Sequence, residues 1–451
     1  MKSNSTERKD DAKGLEVKRK TTAVKSTRTA NEAYKFIKEM YSRARQARDE
    51  GAPIAWVMTG SLVAAEVLRT MGVASVYPEN YGAVCAAKRC AEPLLVKAEA
   101  EGYSNLICGY ARAGLGHAIM RSELGMIPPD APEGGLADPD VMIGGTSHCD
   151  PGFKWFQAAS RYMNVPYHPV EILIPPIDAD LKSAWPRYVR YGVEGLRGLV
   201  AFLERQLGRK LDYDKLQSTV DIAQKTLWTW WQCQELRKAV PCPMPSEDDF
   251  AIFPPAYYFL GEQQALDFYR GLYDELKYRV DNKIGVIPDE KFRLLWGGGL
   301  PPWHNMGMFN YFESLGAVFV TETHYNYGRA YQYDSPDDDP LERIVKYTLH
   351  RFVQWHEKAA RGCGQPQVQR LLDLIQDYQI DGIVMHASVS CRFTTIGNMF
   401  YKDVLQNYLK IPTLFIESDI VDSRGYSESQ FKERIDGFVD ILAARKGKKA
   451  I

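Results

Sequence analysis

The sequence predicts an α/β protein of two mainly parallel sheet units with a helical segment between them, and three observations predict it. Short apolar runs alternate with amphipathic stretches from about Pro53 to Pro175; long helical patterns replace them between about Asp178 and Asp281; the alternation then returns to the end of the chain. Alternation of this kind favours parallel strands joined by crossover helices that cover both sheet faces.

Taken in order, residues 1–30 are rich in Lys, Arg, Ser and Thr, lack an apolar cluster, and read as a mobile basic arm. The first α/β domain, 31–178, opens with helical patterning near Asn31. There "PIAWVMTG" is a buried strand, "SLVAAEVLRTMG" a helix closed by Gly72, "VASVYP" a short strand and "AVCAAKRCAEPLLVKAEAEGY" one long helix. The strand "DVMIGGTS", the helix "GFKWFQAASRYMN" and the strand "VPYHPVEILIP" complete it. Residues 179–281 hold the long helices "WPRYVRYGVEGLRGLVAFLERQL" and "YDKLQSTVDIAQKTLWTWWQCQELRKAV". The second α/β domain, 282–451, reads as the strands "KFRLLWGGG", "GAVFVTETHYN", "IDGIVMHASVS" and "IPTLFIESDIV", closed by the helix "SESQFKERIDGFVDILAARK".

The two α/β units repeat one pattern. "DVMIGGTSHC" and "GIVMHASVSC" are each an apolar strand ending in small residues and a cysteine, followed by a helix, X-Pro and another strand. Duplication and chance within a common fold explain this equally well. Ligands in open parallel sheets bind beyond the carboxyl ends of the strands, and a thiol there lies at a helix N-terminus, whose dipole favours the thiolate. Cys149 and Cys391 therefore occupy ligand-competent positions. Cys108, in "EGYSNLICGYARAGLG", sits where a loop enters a helix.

Composition narrows the class. An apolar fraction of 45%, a charged fraction of 25% and a net charge of −1 fit a folded protein with no electrostatic call for nucleic acid or a membrane surface. No apolar run reaches the roughly 20 residues of a membrane span and no secretory signal is visible, so a cytoplasmic location is expected. Eight cysteines in 451 residues, with no CxxC, are thiols rather than a disulfide scaffold. Any metal site must be assembled from distant parts of the chain.

Other cysteines read more simply. Cys85 and Cys90 stand five apart on the expected long helix, without sharing a face, and read as packing residues. Cys233 reads as helix core, and Cys242 and Cys363 lie in loops. "WGGGLPPWHN" after a strand is either a backbone cradle for a ligand or a tight turn. Glu79, in "YPENYG", is a carboxylate in aromatic surroundings that can raise its pKa for proton transfer. His148 and His386 stand near candidate cysteines, and the histidines show no HExxH spacing.

Four stretches, "VYPENYGAVCAAKR", "EGYSNLICGYARAGLG", "TSHCDPGFKWFQAASRYMNVP" and "SVSCRFTTIGNMFYKDVLQNYLKIPTLFIESDIVDSRGYSESQFKERIDGF", together resemble the 2-hydroxyacyl-CoA dehydratase and benzoyl-CoA reductase family of iron–sulfur enzymes. The resemblance implies two flavodoxin-like domains with helical additions, and a [4Fe–4S] or related larger cluster held by Cys108, Cys149 and Cys391. It implies Ser61, after the first strand, and Glu79 as groups facing an acyl-CoA substrate. His148, next to Cys149, is placed to hydrogen-bond a cluster sulfur. Expected partners are a homologous cluster-binding subunit and a separate ATP-hydrolysing reductase that donates electrons, since no nucleotide motif appears in this chain. Within the family, the long helical segment, the "WGGGLPPW" turn and the overall length look most like the larger cluster-binding subunit of ATP-dependent benzoyl-CoA reductase. The expected reaction is reduction of an aromatic acyl-CoA ring in anaerobic aromatic degradation; elimination of water from a 2-hydroxyacyl-CoA is the alternative.

Overall fold

Among the described residues, eight short strands form two four-stranded sheets of the same design. The computed structural model describes residues 24–59, 64–146, 149–176, 178–332, 335 and 338–449. In the first sheet β1 (Ile54–Val57), β2 (Ala74–Val76), β3 (Val141–Gly145) and β4 (Tyr167–Val170) lie in the order β2-β1-β3-β4. In the second, β5 (Phe292–Gly298), β6 (Ala317–Glu322), β7 (Gly382–Ser388) and β8 (Thr413–Ser418) lie in the order β6-β5-β7-β8. Every pairing is parallel. Each sheet is thus flavodoxin-like, with the chain turning back on itself between its first and third strands.

Strand composition follows from that architecture. Parallel strands covered on both faces need apolar residues throughout rather than alternation, and β1, β3 and β6 are buried at every position. The Ile, Val, Phe and Trp content of "IAWV" and "AVFVTE" supplies this. The strand expected over "VPYHPVEILIP" is only Tyr167–Val170, and it lies at the sheet edge, where Pro169 is tolerated.

The middle of the chain is helical, with Leu181–Leu207 running 27 residues and Tyr213–Leu236 running 24, followed by Ser246–Tyr258 and Gln263–Asp281. The first two start on Asp180 and Asp212, whose carboxylates accept from the free amides of the first turn. Helix Ser246–Tyr258 is buried on nearly every side, wedged among the other elements. Among the described residues, no helix is long and apolar enough to cross a membrane.

Two expectations are corrected. The long helix over 83–103 is two helices, Pro78–Ala87 and Glu92–Ala100, because Arg89 turns into the left-handed region at φ 57° and Pro93 opens the second helix. The basic arm is not free along its whole length. Residues 1–23 lie outside the described residues, but Thr27 is buried and both its amide and hydroxyl donate to Asp248 Oδ2, at 2.9 and 2.8 Å. Arg28–Glu32 is already helical.

Candidate active site

The three candidate cysteines occupy one kind of local position. Cys108 precedes helix Gly109–Leu124, Cys149 precedes Asp150–Met163, and Cys391 precedes the short turn Arg392–Thr395. In each case the cysteine is the residue half inside the helix, its carbonyl accepting the first intrahelical bond: from Arg112 at 3.0 Å, Phe153 at 3.3 Å and Thr395 at 3.3 Å. Its side chain therefore stands where the free amides of the first turn point. Backbone amides of Tyr110 and Ala111 approach the Cys108 sulfur, and that of Gly152 approaches Cys149.

Two of these turns belong to corresponding places in the two sheets. Cys149 follows β3 and Cys391 follows β7, the third strand of each unit and the strand beyond the point where strand order reverses. That reversal opens a crevice at the carboxyl edge of a parallel sheet. The two crevices face each other. The amide of Gly109, next to Cys108, donates to Ser390 Oγ, next to Cys391, at 3.0 Å. Arg112, 1% exposed, ties the same helix to the segment after β8 through Asp422 at 3.0 Å and to Glu99 at 2.7 Å.

Between them lies a cavity of about 150 Å³ whose lining includes Cys108, Cys149 and Cys391 together with Thr59 and Glu79. Burial pushes the Cys108 thiol well above its ordinary range, with further upward pressure from Cys391 and Cys149; burial also pushes Cys149 up to about 11. No three His, Cys, Asp or Glu side chains among the described residues close on a single metal ion. The thiols stand around a space instead.

Glu79 enters from helix Pro78–Ala87, whose first position is proline and whose second is this acid. Its carboxylate accepts from the Thr59 amide at 3.1 Å and the Thr59 hydroxyl at 3.3 Å, at the end of β1. Burial outweighs those bonds and raises its pKa to about 7. Ser61, Ser147 and His148 lie outside the described residues. His386 does not line the cavity; its ring is buried on β7, with Nδ1 2.6 Å from the Leu300 carbonyl. Burial lowers its pKa to about 4.

The Gly297–Gly299 stretch packs as a tight turn. Gly298 has φ +79° and lies so close to β7 that a Cβ would meet the His386 carbonyl at 2.5 Å, while the Gly299 amide is already spent on that carbonyl at 2.8 Å. The turn delivers Leu300 and Trp303 to the cavity, and Trp303 donates its indole N–H to the Tyr110 hydroxyl.

Sequence reasoning missed the aromatic wall. Phe253, Tyr257 and Tyr258 come from helix Ser246–Tyr258, Trp155 from Asp150–Met163, and Tyr325 and Tyr327 from the turn after β6. That turn is fixed by Glu322, which accepts the amides of His324, Tyr325 and Asn326. The signal available was the density of "FPPAYYF" and "HYNYG", runs with no amphipathic period. No Lys or Arg stands among the described lining residues. A second cavity, about 330 Å³, shares Asn80, Ala83, Phe253 and Trp303 with the first and is lined by Lys25 and Lys88.

A cleft formed by the facing switch points of two flavodoxin-like sheets, carrying three thiols and one buried carboxyl group, defines a paired-sheet α/β protein with a thiol-rich centre. The chain belongs to the family described as 2-hydroxyglutaryl-CoA dehydratase, D-component, which matches residues 61–442. It is 25% identical over 414 residues to the alpha subunit of lactoyl-CoA dehydratase from Anaerotignum propionicum, covering 89% of this chain and 93% of that one. It is 26% identical over 408 residues to the alpha subunit of (R)-phenyllactyl-CoA dehydratase from Clostridium sporogenes, with the same coverage of 89% and 93%. A benzoyl-CoA reductase subunit from Thauera aromatica is 25% identical over 372 residues, 78% of this chain and 80% of that one. These relatives are named as subunits of acyl-CoA dehydratases and of a benzoyl-CoA reductase.

Proposed function

We propose that the chain is the iron–sulfur subunit of a benzoyl-CoA reductase type enzyme that reduces the aromatic ring of an aryl-CoA thioester. The observation that carries the reading is the cavity itself: three thiols at helix N-termini opening onto aromatic walls, with no Lys or Arg among the described lining residues.

The thiols fit a multi-iron cluster better than a single ion, because they surround a cavity without converging on one point, and a Cβ on Gly152 would meet Met58 Cε at 2.2 Å and the Cys149 sulfur at 3.2 Å. Cys108, Cys149 and Cys391 would hold the cluster. When bound, such a cluster supplies single electrons at low potential, and three protein ligands leave one iron position open.

The chain's own residues do the rest. Trp155, Phe253, Tyr258 and Trp303 line the cavity with aromatic surface suited to a flat ring. A dicarboxylic acyl group would bring a second charge into a cavity with no Lys or Arg among its described lining residues. Glu79 holds a proton near neutral pH and is placed to deliver it inside the same walls. Lys25 and Lys88 along the second cavity are where cations would be useful to an anionic carrier such as coenzyme A, while its acyl end stays among apolar groups. A homologous cluster-binding subunit and an ATP-hydrolysing electron donor complete the proposed complex.

A second reading is dehydration of an aryl 2-hydroxyacyl-CoA, favoured by the wider coverage of the dehydratase alpha subunits. The test is to supply the complex and its ATPase with benzoyl-CoA and, separately, 3-phenyllactyl-CoA. Ring reduction of the first supports the proposal, and water loss from the second alone replaces it. Replacing Cys149 by Ala should strip iron from anaerobically purified protein, whereas Cys233→Ala should leave iron content unchanged; full iron in the Cys149 variant would sink the ligand assignment.

A further inference from the structure

Two thiols outside the cavity are brought together by a helix cap. Helix Pro78–Ala87 ends at Lys88, and Arg89 then adopts φ 57°. The Arg89 amide donates to the Ala86 carbonyl at 3.0 Å, and the Cys90 amide donates to the Cys85 carbonyl at 2.9 Å. This pair of bonds is a Schellman cap, which folds the residue after the left-handed position back over the last helical turn, where side chains at its two ends touch. In most helices that contact is between two hydrophobes. Here both ends are cysteine.

Both cysteines pack as the sequence suggested, Cys85 in the core and Cys90 against it, but at the end of one helix rather than along a single long one. The Cys90 thiol donates to the Cys85 carbonyl at 3.6 Å, and the two thiols lie close enough to shift each other's ionisation in opposite directions. Cys85 is buried and Cys90 is half-buried. The cap's hydrogen bond across five residues brings the two α-carbons into the range of about 4.4–6.8 Å that a disulfide spans.

We propose that Cys85 and Cys90 form a reversible thiol–disulfide site, oxidised by small-molecule disulfides, with Cys90 the attacking thiol and Cys85 the resolving one. The Cys90 thiolate attacks one sulfur of the small disulfide, whose S–S bond breaks, and one thiol leaves with a proton. Cys85 then attacks the Cys90 sulfur of the mixed disulfide, and the second small thiol leaves with the other proton. The protein pair gives up two electrons and two protons, and the small disulfide becomes two thiols.

The roles follow from access and from the contact between the pair. Of the two, Cys90 alone reaches solvent. The contact with Cys85, helped by the cation of Lys88, lowers the Cys90 thiol to about 7, while the same contact and burial raise Cys85 far above its usual range. A thiol near ambient pH is the better attacker. Cys85 is two residues from Ala83, and the helix that the pair caps carries Glu79 and Asn80 into the cavity, so oxidation would lock the far end of that wall.

Trypsin supplies a direct test. Lys88 and Arg89 lie between the cysteines, so digestion separates Thr70–Lys88 from Cys90–Lys97 unless a disulfide joins them. Anaerobically purified full chain is incubated with oxidised glutathione, alkylated and digested without reductant. The joined pair should be at least tenfold more abundant than in Cys90→Ser and vanish with dithiothreitol. In Cys85→Ala, Cys90 should instead retain glutathione. The exposed Cys363 reports whether the oxidant acted. A glutathione adduct on Cys363 with the two peptides unjoined, or a lasting adduct on Cys90 in the unmodified chain, overturns the proposal.

Discussion

Glu79 shows how much one residue's surroundings decide. The same acid at the second position of a solvent-exposed helix would be an ordinary first-turn carboxylate, favoured by the helix dipole and ionised at neutral pH. Packed below Thr59 and facing the three thiols, it keeps a proton to about pH 7. Glu79→Gln preserves shape and most hydrogen bonding but cannot transfer a proton. Turnover should fall by a factor of about 10² or more, the usual worth of one acid–base group, while iron content stays that of the parent. Near-normal turnover with intact iron would reduce Glu79 to a helix-start residue, where the change costs about 1 kcal/mol of stability or less.

Among the elements, helix Gly109–Leu124 carries the most constraint, since its start places Cys108 and its body must lie close to helix Glu92–Ala100. A Cβ on Gly116 would meet the Leu94 carbonyl at 2.0 Å, a contact with backbone that no side-chain rotation relieves. Gly→Ala inside a helix ordinarily stabilises by about 1 kcal/mol. Here the sign should reverse. Gly116→Ala should lower stability by about 1–3 kcal/mol, the cost of overpacking, measured as a shift in the denaturation midpoint; unchanged or increased stability would show that the two helices can separate at no cost. Elements also mark the limit of what the residue pattern reveals. Buried strands such as "IAWV" and "GIVMHAS" were legible because apolar β-branched runs bounded by small residues have few other uses. The break at Arg89 was not, since "AAKRCAEP" is good helical text and only the cap geometry ends it. Cys108, Cys149 and Cys391 were legible as three similar strand or loop ends, and the cavity joins them. The aromatic wall was not, because residues as distant as Trp155, Phe253 and Tyr325 meet only in the folded chain.

At the scale of the whole molecule, the two sheets and the helical middle meet through polar groups that are deeply buried, and this shapes the pH dependence of stability. Glu66, on the short helix after β1, is fully buried; one carboxyl oxygen takes the Tyr347 hydroxyl from helix Pro340–Val353 and the other has no hydrogen-bond partner among the described residues. Burial raises its pKa from an ordinary 4.5 to about 7, against the weaker opposing pull of Arg351 and Arg69. Between these two values the folded chain keeps a proton that the unfolded chain has released. Stability contributed by the neutral carboxyl is therefore full below about 4.5 and declines as pH rises toward 7. Asp422 has the opposite slope, because its bonds to Arg424 and Arg112 hold its carboxyl well below the usual range despite burial, and its contribution is lost only in strong acid. Glu66→Gln keeps the acceptor for Tyr347 and removes the charge. Denaturation of the metal-free chain at pH 5 and pH 8 should show a smaller stability loss in this variant than in the parent, by on the order of 2 kcal/mol, as a shift of two pH units in one group implies. An identical loss in both proteins would mean that Glu66 stays charged across this range and that the Tyr347 contact is held by an ionised carboxylate.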